Sequence, residues 1–266
     1  MNKSNKQSGF AHVAVLVIVI VIGVVVFAAW KVTSKKAPEP SVNNSQEKSS
    51  EVSSNMPEPS NKIVMKSIGF KLDYYNEATN KAGDMEFTKI PLNFNQIWGD
   101  FGQQDPRSPN DPSKRNPQPT YILPLGTKVE ALVDGVVEDV RQIYSGDYTI
   151  MIRPSGSDLM FETEHVDSPL VKKGDLVKSG QVIARVSKHD SQYHAGFGVL
   201  EIGVLGQSGN RPSHTCPYSY LDDSVKDEML KKITNVHNAW EKYLGKDVYP
   251  DKSELPGCTT LAPFVE

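Results

Sequence analysis

Between Tyr121 and Gly203 apolar and polar residues alternate in short runs, each bounded by Gly, Pro, Ser or Asp. Val129, Ala131 and Val133 alternate with Lys128, Glu130 and Leu132, and Asp134-Gly135 then supplies a turn before Val136, Val137 and Val140. A period of two with this punctuation marks half-buried strands. Lys173-Gly174-Asp175 and Lys178-Ser179-Gly180 lie so close together that the strands between them must be short. The pattern predicts a mainly β domain, a compact antiparallel sandwich or barrel with tight corners. Upstream, Ile63-Val64-Met65 and Ile68 to Leu72 read as strands and Met85-Glu86-Phe87 as a third; this segment is expected to add an edge to the sheet.

Other periods flank this core. Phe10 to Trp30 contains no charged residue and no polar face, and at 1.5 Å per residue it spans roughly 30 Å, the thickness of a bilayer core. It reads as one transmembrane helix behind a polar tail, 1–9. A cleaved signal peptide is the rival, although its apolar region should be nearer to about 7–15 residues. Residues 31–62 are rich in Ser, Asn, Glu, Pro and Lys and bury too little apolar surface to offset chain entropy, so they read as a disordered linker. The globular part is expected over 63–205, with a core at 95–205, followed by an extension at 206–266. In that extension Val225, Met229, Ile233, Val236, Trp240 and Leu244 recur at spacings of three or four, and Gly245 follows. That predicts a packed helix over about 223–244. The five prolines between 103 and 119 predict a surface loop.

Composition changes little. A net charge of −3 over 266 residues carries no basic footprint of the kind that nucleic acid requires. Lys3 and Lys6 precede the apolar run while Lys31, Lys35 and Lys36 follow it, so charge gives only a weak guide to orientation.

Pro124-Leu125-Gly126-Thr127-Lys128-Val129-Glu130-Ala131, then Asp134-Gly135-Val136-Val137, His165, Leu170 to Ala184 and Leu200-Glu201-Ile202 together resemble the lysostaphin-type (LytM-like) zinc endopeptidases, which have the duplicated hybrid motif fold. The resemblance covers roughly residues 95–205. It implies peptidoglycan cross-links as substrate, one zinc ion, and an extracytoplasmic location for a domain anchored in the cell membrane by residues 10–30. It also implies a His-x-x-x-Asp motif, which falls on Asn116 and Thr120, and a His-x-His motif, which falls on Phe197 and Val199. Only the middle-strand histidine is kept, as His165.

A catalytic zinc needs three N or O ligands and one open position. Asn116 and Thr120 are neutral and grip zinc poorly, while Phe197 and Val199 cannot coordinate at all. No histidine lies between His12 and His165, so no shift of register restores the first ligand. Asn116, Thr120 and Val199 are therefore read as lost ligand positions, His165 as a remnant, and no metal or other cofactor is expected. Strand parity puts Phe161, Thr163 and His165 on one face and Phe197, Val199 and Glu201 on another. With Thr120 and Tyr121 these predict a former substrate groove with an apolar floor.

The leading reading is a catalytically inactive domain that binds cell-wall peptide or an envelope partner in that groove. One alternative is an active zinc endopeptidase with ligands relocated to His165, His189, Asp190 and His194. Another is a lipoyl- or biotinyl-type carrier, suggested by the Gly180-Gln181-Val182 hairpin; Lys188 lacks the flanking residues such carriers use. Cys216 and Cys258 are the only cysteines. Outside the cytoplasm they would pair as a disulfide, with two buried thiols as the alternative and a metal pair with His214 as a remote third.

Overall fold

The computed structural model describes residues 62–265 except 91, 112, 191–194 and 210. The apolar run, the linker up to residue 61 and His194 lie outside the described residues. Among those described, no helix is long and apolar enough to cross a membrane.

Twelve short strands and one α-helix make up the described chain: β1 (Lys81–Ala82), β2 (Met85–Glu86), β3 (Trp98–Gly99), β4 (Thr120–Pro124), β5 (Lys128–Glu130), β6 (Gly135–Gln142), β7 (Tyr148–Arg153), β8 (Met160–Asp167), β9 (Leu176–Val177), β10 (Val182–Val186), β11 (Phe197–Ser208), β12 (Arg211–His214) and α1 (Lys226–Leu244). The main sheet runs β3-β4-β11-β8-β7-β6-β9, with β10 joining β5 and β8, and β12 joining β11. All of its pairs are antiparallel, so short turns suffice to connect neighbours. The mainly β architecture with one C-terminal helix agrees with the period of two.

Residues 63–72 do not add an edge to the sheet. Met65 alone bridges to Val133 and Leu221, and the segment lies across the β5 region with the Glu130 N–H donating to the Gly69 carbonyl. Met65, Ile68, Phe70 and Leu72 all reach the core, and the chain turns at Gly69 (φ 94°), so the segment packs across the sheet rather than along its edge. Met85–Glu86 pairs only with Lys81–Ala82, as a separate hairpin.

The core is aromatic. Phe70, Trp98 and Tyr121 meet edge-to-face at centroid distances of 4.6–6.4 Å, and the Tyr121 and Tyr218 hydroxyls share a hydrogen bond of 2.6 Å. That bond satisfies both buried phenols, which would otherwise cost free energy in an apolar setting. Helix α1 buries Ile233, Val236 and Trp240. The Trp240 indole sits edge-on to Phe87 at 5.1 Å and donates to the Asn95 carbonyl at 2.8 Å. A disulfide joins Cys216 and Cys258.

Candidate functional site

Three neighbouring strands set out the site. On β4, β11 and β8 the register pairs Thr120 with Glu201 and Glu201 with Glu164; one step along, Ile122 pairs with Val199. Directly paired residues project to the same side of a sheet. Thr120, Glu201 and Glu164 therefore form a polar row, with Ile122 and Val199 beside it as an apolar patch. Residues one position away, Tyr121, Leu200 and Thr163, face the core instead and are fully buried.

His165 joins the polar row because β8 breaks its period. Pairing with β7 passes from Tyr148↔Val166 to Ile150↔Thr163, so Glu164 and His165 together oppose the single residue Thr149. His165 takes a left-handed conformation, φ 60°. Such a bulge re-aims side chains. It brings the His165 Nε2 to 3.9 Å from the Glu201 Oε2.

The other ring nitrogen is held firmly. His165 Nδ1 lies 3.2 Å from the Asp147 Oδ2, and Asp147 also accepts from the Ser187 hydroxyl at 2.6 Å and from the Ser145 hydroxyl. Burial alone would raise the Asp147 carboxyl, but the two hydroxyls and the imidazole outweigh it and hold it below the usual range. Burial, with His189 nearby, lowers the His165 pKa despite the Asp147 charge. The neutral ring carries its proton on Nδ1, toward Asp147, and its lone pair on Nε2. The His189 ring stacks on His165 with centroids 3.6 Å apart and planes 3° from parallel. Gly198 makes this possible: a Cβ there would lie 2.0 Å from the Ser187 carbonyl oxygen, so only glycine lets the 187–189 segment lie against β11.

Beneath the row, Glu162 accepts from the Thr149 hydroxyl at 2.9 Å and the Gln118 amide at 3.0 Å. Glu164 is pushed up to about 8 by burial and by the neighbouring Glu162 and Glu201 carboxylates. A cleft of about 450 Å³ opens over the Thr120–Glu201 end of the row, lined by Ile122 and Val199 and by Arg107, Lys114 and Arg115 of the 103–119 loop. Gln104 fastens that loop by donating to the Ser108, Asp111 and Lys114 carbonyls.

Of the residues expected in the groove, Thr120, Val199 and Glu201 line this cleft. Tyr121, Phe161 and Thr163 do not: all three are fully buried on the opposite side. Phe197, paired with Pro124, is also buried and outside the cleft. Parity failed because the bulge separates His165 from Phe161 and Thr163, which it would otherwise accompany. Asn116 sits at the cleft's edge, donating to the Asp100 carbonyl at 3.1 Å with its amide 3.5 Å from the Thr120 hydroxyl. Thr120 Oγ1 in turn lies 3.3 Å from the Glu201 Oε1. His165 and His189 of the relocated set come together, with Asp190 3.7 Å from His189. Sequence reasoning missed Asp147, Glu162, Glu164 and Ser187. The Glu-x-Glu pair of Glu162 and Glu164 within a strand was the one available signal.

The positions to which the resemblance assigns zinc ligands do not fit that ion: Asn116, Thr120 and Val199 present an amide, a hydroxyl and an isopropyl group. Asp147, His165 and His189 offer three donor atoms within 4.8 Å of one another. Their stacked rings, however, send in-plane lone pairs side by side rather than toward a shared point.

Residues 120–210 match the model described as Peptidase family M23. Asn116 falls before the matched segment and Thr120 is its first residue. A stretch of 112 residues is 30% identical to the peptidoglycan DD-endopeptidase ShyC of Vibrio cholerae. It makes up 42% of this chain and 25% of that protein, so the chain spans about a quarter of its relative's length. Among solved structures, the catalytic domain of lysostaphin from Staphylococcus simulans is 21% identical, over 46% of this chain and 89% of that one, with a TM-score of 0.35. A zinc-containing peptidase from Vibrio cholerae is 25% identical, over 55% and 39%, with a TM-score of 0.34.

Proposed function

We propose that this M23-type domain binds peptidoglycan peptide in the cleft under the 103–119 loop and does not hydrolyse it by the family's zinc chemistry. The observation that carries this reading is the Asn116–Thr120–Glu201 row, with Val199 beside it, at the corner to which the resemblance assigns the ligands. Without a Lewis acid there, nothing brings the pKa of an attacking water toward neutrality. Cations on the rim (Arg107, Lys114) and carboxylates on the floor (Glu201, Asp190) suit a short peptide bearing both free carboxylate and amine groups. The relative named for a peptidoglycan endopeptidase activity supports the wall as the source of that peptide. Anchoring by residues 10–30, with the domain outside the cytoplasm, belongs to the same proposal. A disulfide is at home in that compartment.

The test is co-sedimentation of the full-length chain with purified peptidoglycan, with mass spectrometry of the supernatant. Retention without new muropeptide fragments is expected, and Val199→Arg, which fills the apolar floor, should weaken retention at least about tenfold. Released fragments would overturn the non-hydrolytic reading. Absence of retention would shift the ligand to an envelope protein.

A further inference from the structure

We propose that Phe94 selects the peptide in the cleft: its ring is held at the cleft wall to cover an aliphatic side chain of the wall peptide, such as the methyl group of an alanine. This assignment rests on the binding reading above. Phe94 lines the cleft together with Ile122 and Val199. It is 46% exposed, whereas Trp98 and Phe101, a few residues further on, are fully buried. It also precedes the segment that matches the family, so it belongs to what this chain adds around the shared core.

The backbone presents this ring at a cost. Phe94 (φ 56°, ψ 11°) and Asn95 (φ 57°) lie consecutively in the left-handed region. The short polar side chain of an asparagine tolerates that region, but a phenylalanine there crowds its own carbonyl, and glycine is the unstrained choice. The surroundings hold the turn in place. The Asn95 N–H donates to the Leu92 carbonyl at 3.1 Å, and the Asn95 carbonyl accepts from the Trp240 indole at 2.8 Å. Gln96, next in the chain, donates to the Val248 carbonyl at 2.8 Å and accepts from the Gln103 amide at 3.0 Å. The turn is thus fixed from both the C-terminal extension and the roof loop. A strained residue that leaves much of its apolar ring to water gives the fold little, and strain of this kind gathers where a ligand is met.

The neighbouring groups decide what the ring meets. The carboxamide donors along the cleft are already engaged: Gln103 on Gln96, Gln104 on the Ser108, Asp111 and Lys114 carbonyls, and Asn116 on the Asp100 carbonyl. A sugar ring is recognised through directed hydrogen bonds to several hydroxyls, and it finds these donors occupied. Phe94, Ile122 and Val199 offer apolar surface instead. Moving an aliphatic side chain from water onto that surface is favourable without any donor.

The full-length chain and its variants are co-sedimented with purified peptidoglycan, and each is melted without it. Phe94→Gly should weaken retention at least about tenfold. Its Tm should equal or exceed that of the parent, because glycine relieves the left-handed turn. Phe94→Tyr keeps the ring and should restore retention to within about threefold of the parent. A soluble Ala-Glu-Lys-Ala-Ala peptide should displace the parent chain, and chitotetraose should not. Undiminished retention in Phe94→Gly, or lost retention together with a lower Tm, overturns the assignment. Displacement by chitotetraose alone overturns it as well. Val199→Arg separates the two readings: if it weakens retention and Phe94→Gly does not, the groove stands and Phe94 has no part in it. If the parent itself is not retained, the binding reading falls and this assignment falls with it.

Discussion

Asp100 and His237 face each other across the junction of β3 and α1, with the His237 Nε2 3.4 Å from the Asp100 Oδ1. Burial pushes the carboxyl up to about 7 and the imidazole down to about 4. Between about pH 4 and 6.5 the folded pair therefore holds one proton, as does the unfolded chain, where it sits on the histidine. The pair adds little pH dependence to stability in that window. Asp100→Asn changes this: folded His237 stays neutral while the unfolded histidine takes a proton. The variant's stability should then rise with pH from about 4 to 6.5, with a slope approaching about 1.4 kcal/mol per pH unit beyond that of the parent. Urea melts across the range would show it, and parallel curves would refute it. At this scale the sequence was only partly legible. His165 could be singled out as a remnant from its place in the motif. Asp147 could not, because a Ser-Gly-Asp turn carries no mark of the histidine it will meet 18 residues later.

Among elements, α1 was the most readable, since its apolar spacing matches the helical period and Gly245 ends it with φ 69°. It begins at Lys226 because Asp222 accepts from the Ser224 N–H and hydroxyl, which holds the preceding residues in a turn. Its docking depends on one side chain. Trp240→Ala removes a fully buried indole and its bond to Asn95, and should cost about 3–5 kcal/mol in a denaturant melt. A cost below about 1 kcal/mol would mean that the helix is peripheral. The bulge in β8 was the least readable element. An extra residue in a strand leaves the local alternation of Glu162 to Val166 looking regular, and only the partner strand reveals the slip. That feature accounts for grouping Phe161 and Thr163 with His165, though not for Tyr121 or Phe197, which lie on other strands. Residues 63–72 failed for a related reason, since short apolar runs fit equally well a strand or a segment packed across one.

For the molecule as a whole, the extension is tied to the β domain next to the cleft. Cys258 bridges to Phe101, Phe101 N–H donates to the Gly257 carbonyl at 3.0 Å, and Thr259 N–H donates back to Phe101 at 2.9 Å. The disulfide to Cys216 fixes this clamp. Closing that loop stabilises the fold by about 4 kcal/mol in the chain-entropy model. Reduction, or Cys258→Ser, should lower the Tm by many degrees and weaken peptidoglycan retention as well; an unchanged melt would show the bond to be dispensable. Phe101 and Gly102 lead directly into the loop that roofs the cleft, and the partners of Phe101 lie more than 150 residues further along the chain. A ribosome therefore delivers the walls of the binding cleft well before it delivers the latch for the lintel. A nascent chain that stalls or is truncated before Cys258 would present an unroofed recess, so competence is withheld until synthesis has passed that point and an oxidant has acted.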